Sequence, residues 1–372
     1  MRGWQIARIA GIAIEINATW LFIFALLLFG IADDHLPRHY PDAARWQFWM
    51  AGTIATLLLF GSVIVHELAH SLVARRYGVN VSRITLFIFG GVAQTGGEPK
   101  TALSELWIAL AGSLASMVIG AVCLGVWSLI KQSPIDPVWG GIFRINGALN
   151  IALAAFNMLP GFPLDGGRVL RAALWAVRKD IAWATRWAAR VGHLVAMLFI
   201  VAGIVLAFAG DWLNGMWLAF IGIFVDNAGR SSYGQIALRK MLDGHTVAEV
   251  MSDGCALVPP QLTLDVFVEQ YLMGEARRCY PVGTRDAVVG LLTIHGLRQV
   301  PASLWREKRV IDAMTPLPAL RIVSPETPLW DALRHMTADG VNQLPVLSDG
   351  RLVGMVSREH LISFLHARSA VG

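Results

Sequence analysis

The chain has 372 residues, of which 55% are hydrophobic and 15% charged, and its mean hydropathy of +0.54 lies well above that of an ordinary soluble domain. That composition excludes a wholly soluble protein, and the net charge of +5 has to be tested against membrane topology before nucleic acid is considered. Cys123, Cys255 and Cys279 have no CxxC spacing, which excludes a disulfide framework and fits a reducing compartment for the C-terminal part.

The N-terminal stretch "MRGWQIARIAGIAIEINATWLFIFALLLFGIA" has the basic start, apolar run and small-residue end of a signal peptide. Its apolar core begins far from the arginines, however, and an uncleaved first span fits the charge parity better. Apolar runs near 18–32, 49–65, 106–130, 142–158, 191–208 and 212–225 predict six transmembrane helices. The last is short and carries Asn214 and Gly215, so taken alone it also fits a buried or interfacial helix.

Basic residues alternate with these spans. Arg2 and Arg8, then Arg75, Arg76, Arg83 and Lys100, then the cluster from Arg168 to Arg190, then Arg230, Arg239 and Lys240 fall on one side. Arg38 and Arg45, then Lys131 and Arg144, fall on the other. Six spans with both termini cytoplasmic satisfy this pattern, so the positive charge reads as a topology signal and no nucleic-acid partner is expected.

The second span ends in "VIVHELAHSLVARR". On a helix His66 and His70 share a face, where two imidazoles can grip one metal ion, and Glu67, one step round, can take a proton from a water at that metal. A random chain of similar content shows HExxH in roughly one case in a hundred. Two histidines packed in a helix bundle are the plainer reading, but Glu67 would then need a buried partner of its own. The segment "VNVSRITLFIFGGVAQTGG" follows, in which Val79, Val81, Ile84, Leu86 and Ile88 suggest strands ending in a glycine pair. It predicts a β-hairpin insert dipping into the interface, with an amphipathic loop as the alternative.

A catalytic zinc needs a third protein donor. In "NMLPGFPLDGGRVLR", Asp165 follows two helix-breaking prolines and precedes two glycines that permit a tight return toward the bundle. It serves equally well on spacing as a cap for the next helix. Asn157, at the end of the fourth apolar run, could hydrogen-bond a substrate carbonyl or an oxyanion, whereas Asn146 and Asn150 on that run warn that amides also join helices. His193, His245, His295, His335, His360 and His366 have no ligand spacing and are expected to be structural.

Past residue 230 the apolar runs shorten and charges multiply, so a membrane domain over 1–230, a linker over 231–244 and a soluble module over 245–372 are expected. The module contains a repeat. "TVAEVMS" answers "RVIDAMT", and "YPVGTRDAVVGLLTIHGL" answers "LPVLSDGRLVGMVSREHL". Two α/β units over about 245–303 and 308–372, packed face to face, follow from that period.

HExxH in an apolar helix, the "LFIFGGVA" stretch and "NxxPxxPLDGG" together resemble the site-2 protease family of intramembrane zinc metalloproteases. The resemblance implies His66, His70 and Asp165 as ligands of one zinc, Glu67 as general base, Asn157 as substrate helper, and a hairpin holding an extended substrate. The implied activity is hydrolysis of a peptide bond in or near a transmembrane segment of another protein, such as a single-pass anti-sigma-factor-like substrate, in regulated intramembrane proteolysis at a cell membrane.

The C-terminal repeat resembles a tandem pair of cystathionine-β-synthase-type (CBS) domains, which implies a possible homodimer and a possible adenine nucleotide. The aspartate that commonly holds the ribose is missing, since the matching places read Thr293 with Gly296 and Ser357 with His360. The fold expected overall is an α-helical polytopic membrane domain with a β-hairpin insert, followed by an α/β tandem CBS module. A CBS-gated transporter or a non-catalytic zinc-binding receptor is the alternative. The grouping of ionisable residues at one end of two spans and the presence of Glu67 argue against these two readings.

Overall fold

A computed structural model of the chain describes residues 3–371 except 89, 134–136, 254–255, 274–278 and 285. It divides into two compact units, Met1–Gly234 and Gln235–Gly372.

The first unit opens with two strands, β1 (Trp4–Ile9) and β2 (Ile12–Ile16), where the sequence suggests only a basic lead-in to a helix. Ala10 and Gly11 both take positive φ, 49° and 79°, as a two-residue hairpin turn requires. Five helices among the described residues are long and apolar enough to cross a membrane. They are α1 (Thr19–His39), α2 (Arg45–Arg76), α3 (Ala102–Ile130), α4 (Pro137–Asn157) and, after the shorter α5 (Asp165–Arg178), α6 (Ile181–Phe208). The sixth expected span falls in α7 (Trp212–Leu242), which is not among them. Asn214, Asp226 and Asn227 interrupt its apolar run. The stretch expected as a linker is helical as far as Leu242.

The burial pattern inverts that of a soluble bundle. On α2 the stripe Ala51, Ala55, Leu59, Ser62, His66, His70 and Ala74 is buried, while Leu57, Leu58, Val65 and Leu72 are exposed. Ser62 and the two histidines therefore turn inward while most of the large apolar side chains around them turn outward, as a lipid solvent demands.

Strands β3 (Val81–Phe87) and β4 (Gly90–Thr95) pair antiparallel. They do not stand alone: β2 runs parallel to β3, and the sheet order is β1-β2-β3-β4. A bulge between Val81 and Arg83 moves the buried positions from odd (Val79, Val81) to even (Ile84, Leu86). An extra residue in one strand reverses the face of every later side chain. The inner face of the sheet, with Ile12 and Ile84, packs on Ala74 and Ile108 and so seats β4 beside the end of α2.

In the second unit, β5 (Cys279–Gly283), β6 (Val288–Thr293) and α8 (Ile294–Arg298) are repeated as β8 (Gln343–Ser348), β9 (Arg351–Ser357) and α10 (Arg358–Val371). Between them lie the two-residue β7 (Thr315–Pro316) and α9 (Leu329–Ala338). The copies meet through Val288 and Leu291 on one side and Leu352 and Met355 on the other.

They also exchange their leading segments. Val247 lies in the core of the second copy with Leu344 and Val356, and Ser252 pairs with Met355. Val310 lies in the core of the first with Tyr280 and Leu292, and β7 pairs with β6. The spatial modules are thus not the two sequence halves.

Candidate metal centre

α2 carries His66 and His70 on its buried stripe, one turn apart, with rings packed edge to face. Facing them, α3 presents Ile108, Gly112, Ser116 and Gly120 at four-residue spacing, all buried. His70 Nδ1 lies 2.6 Å from the Ile108 carbonyl oxygen. A carbonyl can only accept, so Nδ1 holds the proton and Nε2 presents a lone pair. His66 Nδ1 lies 2.9 Å from Ser116 Oγ, a hydroxyl that can accept its hydrogen bond and so orients the second ring with Nε2 toward the cluster.

Asp165 begins α5. Leu164 is the N-cap residue and supplies no side-chain cap, while the Asp165 carboxylate turns into the bundle. Its Oδ2 lies 3.1 Å from His70 Nε2, 3.4 Å from His66 Nε2 and 3.3 Å from Ser113 Oγ, which donates to it. The two Nε2 atoms are 3.1 Å apart. The carboxylate therefore lies beside the two imidazoles, where spacing alone leaves capping and ligation equally open.

Backbone packing makes the turn possible. A Cβ on Gly166 would run into the Met158 and Leu159 carbonyl oxygens, and one on Gly167 into the Gly161–Phe162 peptide. α5 is held down by Arg171, whose Nε donates to Glu105 Oε1 at 2.6 Å and whose second guanidinium nitrogen reaches the same oxygen. Glu105 is fully buried at the start of α3, and the Arg171 guanidinium also lies 5.0 Å from the Phe162 ring centroid.

His66, His70 and Asp165 form the one group among the described residues whose donor atoms could share a metal ion. Three electron-rich atoms 3.1–3.4 Å apart repel one another unless a cation lies between them. A tetrahedron with zinc–ligand bonds of 2.0–2.1 Å has edges of about 3.3 Å, so the donor set fits zinc in both chemistry and spacing.

Glu67 is half-buried on the next position of α2. It lies under β4: a Cβ on Gly91 would press on its Cγ and stand 2.9 Å from its Cδ. Gly112 does the same for His70, whose Nε2 and Cδ2 occupy the space a Cβ would fill. Asn157 closes α4, half-buried, with no hydrogen bond to the cluster among the described residues. Asn146 donates to the Ala55 carbonyl oxygen at 3.2 Å and so joins α4 to α2. Ile108, Gly112, Ser113 and Ser116 were not picked out from sequence. Their signal is small residues at four-residue spacing in an apolar helix, "IALAGSLAS".

Helices with apolar outer faces around a buried His–His–Asp cluster define a multi-pass membrane protein with a zinc-type centre. The pattern of peptidase family M50 matches residues 54–138 and 136–201, and that of the CBS domain residues 310–367. The chain is 34% identical over 359 residues to a Mycobacterium tuberculosis protein named as zinc metalloprotease Rip3, covering 95% of this chain and 90% of that one. It is 30% identical over 370 residues to one named as zinc metalloprotease sll0528 of Synechocystis sp., covering 98% and 96%. The solved site-2 protease of Methanocaldococcus jannaschii is 32% identical, with a TM-score of 0.42, over 62% of this chain and 94% of that one. The chain belongs to peptidase family M50 and is an intramembrane zinc metalloprotease with a C-terminal CBS module.

Proposed function

We propose that His66, His70 and Asp165 hold the zinc, that Glu67 is the general base, and that the substrate is a transmembrane segment of a single-pass membrane protein cut near its cytoplasmic end. The observation that carries the ligand set is the 2.6 Å contact between His70 Nδ1 and the Ile108 carbonyl oxygen, which places the proton on Nδ1 and leaves Nε2 facing Asp165 at 3.1 Å. Zinc, when bound there, supplies a Lewis acid that lowers the pKa of a water and polarises a peptide carbonyl. Glu67 takes the proton of the attacking water and delivers it to the leaving amine. Asn157 holds the substrate carbonyl or the oxyanion that develops on it.

A helical substrate shields its own peptide bonds and must unwind. β4 is at the edge of the sheet, so its free backbone groups can replace the lost hydrogen bonds by strand addition. Because Gly91 of β4 touches Glu67, a paired strand comes to lie beside the base. The N-terminus lies in the cytoplasm with the catalytic ends of α2 and α4, and the C-terminus joins them there when α7 crosses as the sixth span.

The CBS module acts through protein contacts, including pairing with a second copy, and not through an adenine nucleotide held in the usual manner. Thr293 Oγ1 accepts from Gly296 N at 3.0 Å, and Ser357 Oγ from His360 N at 3.2 Å. Both hydroxyls serve as helix caps, and the carboxylate that would hold a ribose is missing three positions on, where Gly296 and His360 stand.

The test is the position of the cut. The full chain is reconstituted in liposomes with a tagged single-pass substrate, and the fragments are sized by mass spectrometry. Cleavage inside or at the edge of the membrane segment, abolished by a zinc chelator, is the expected result. Chelator-insensitive cleavage, or cutting confined to the soluble flanks, contradicts the proposal.

A further inference from the structure

α6 and α7 form a cleft that the proteolytic centre does not use. The two helices run antiparallel and approach closely where small residues meet: a Cβ on Gly222 would stand 2.7 Å from the Ala196 carbonyl oxygen, and one on Gly203 would stand 2.9 Å from Ala219 Cβ. Beyond that crossing, Arg186, Arg190 and His193 from α6 and Asp226, Gly229 and Arg230 from α7 line a cleft of about 450 Å³.

His193 Nδ1 lies 2.7 Å from one Asp226 oxygen, and Arg230 lies 2.9 Å from the other. Asp226 is the only carboxylate of the lining, against three guanidinium groups. Neither Arg186 nor Arg190 has a carboxylate partner among the described residues, and Arg190 lies over the exposed Trp187 ring at 5.1 Å. The cleft therefore keeps at least two unneutralised positive charges.

Its place on the helix says what would neutralise them. Arg186, Arg190, Leu194, Leu198, Val201 and Val205 follow one another at three- and four-residue steps, on one face of α6, and the four apolar ones are exposed. The apolar part of that stripe is about 16 Å long at 1.5 Å per residue, a length that suits an acyl chain. Arginines serving only as a topology signal need not converge, whereas these three come from two helices onto one opening. Guanidinium groups grip phosphate with paired donors, and Trp187 has the amphipathic ring favoured at headgroup level.

We propose that this cleft seats the phosphate of an anionic phospholipid headgroup, with an acyl chain of that lipid lying along Leu194–Val205. The His193–Asp226–Arg230 chain of contacts keeps Arg230 turned toward the opening, which gives His193 a role the sequence does not suggest.

The test is native mass spectrometry of the full chain in a neutral detergent, with equimolar phosphatidylglycerol and phosphatidylcholine. About tenfold preferential retention of phosphatidylglycerol is expected for the wild type. Parity is expected for Arg190→Gln/Arg230→Gln, with preference restored by Arg190→Lys/Arg230→Lys. Arg45→Gln, an exposed arginine elsewhere, should retain the full preference. Should the double glutamine variant lose its helical circular dichroism, Arg186→Gln carries the test, with about a threefold loss of preference expected. Parity in the wild type, or full preference in the glutamine variants, overturns the proposal. Inorganic phosphate in excess should leave the lipid in place; if phosphate displaces it, the cleft is a site for the free anion and the lipid assignment fails.

Discussion

Gly112 on α3 and Gly91 on β4 stand against different members of one centre, so a single added methyl group separates metal binding from proton transfer. Gly112→Ala forces a Cβ into the His70 imidazole, and the variant should purify with much less than one zinc per chain. Gly91→Ala presses instead on Glu67. Metal analysis of that variant should read as wild type while cleavage of a model substrate falls by about a hundredfold or more, the usual contribution of a general base. Ser116→Ala removes the partner of His66 Nδ1, and competition with a chelator should show zinc held about 10- to 100-fold more weakly. Equal zinc content in Gly112→Ala and wild type would remove the packing argument. The histidine pair of the proposed ligand set is legible because HExxH forces two imidazoles onto one helix face, whereas the spacing around Asp165 fits a cap equally well. Gly112 and Ser116 are not legible, since small residues in an apolar helix look the same whether they make room for a neighbouring helix or for a metal ligand.

α5 matters to the site through its attachment. Arg171 is 5% exposed and Glu105 0%, and Arg171→Met leaves the buried Glu105 with no water and only the more distant Arg168, 4.0 Å away. Arg171→Met should therefore cost about 3–5 kcal/mol in unfolding measurements. It should also lower zinc occupancy, because Asp165 begins the same helix. Glu105→Leu/Arg171→Met should recover most of the stability, and equal loss in single and double variants would show that the pair does not dock α5. In the sequence Arg171 counts only as one more cytoplasmic charge, because its partner lies 66 residues away. The strands show a related limit. Alternation predicts β3 but not the bulge that reverses its parity, and "WQIARIAGIAIEI" reads as the lead of the first span, although Ala10–Gly11 is a usable turn.

At the scale of the molecule, the apolar runs predicted the bundle because lipid tolerates few other chain-spanning structures, and the 64-residue offset of Val282–Gly290 and Val346–Gly354 was visible as a repeat. What a repeat does not reveal is which copy each segment packs into. Val247 belongs to the second core and Val310 to the first, so residues 245–303 expressed alone should stay unfolded by circular dichroism while 245–372 fold; a folded 245–303 would count against the exchange. The membrane unit is where the chemistry lies, and zinc content measured beside cleavage of a tagged transmembrane substrate in detergent bears on it most directly. Wild type should hold about one zinc and cut, Glu67→Gln should keep the zinc and stop cutting, and Asp165→Ala should lose both. Undiminished cleavage by Glu67→Gln, or a wild-type enzyme that cuts without zinc, would contradict the assignment of metal and base.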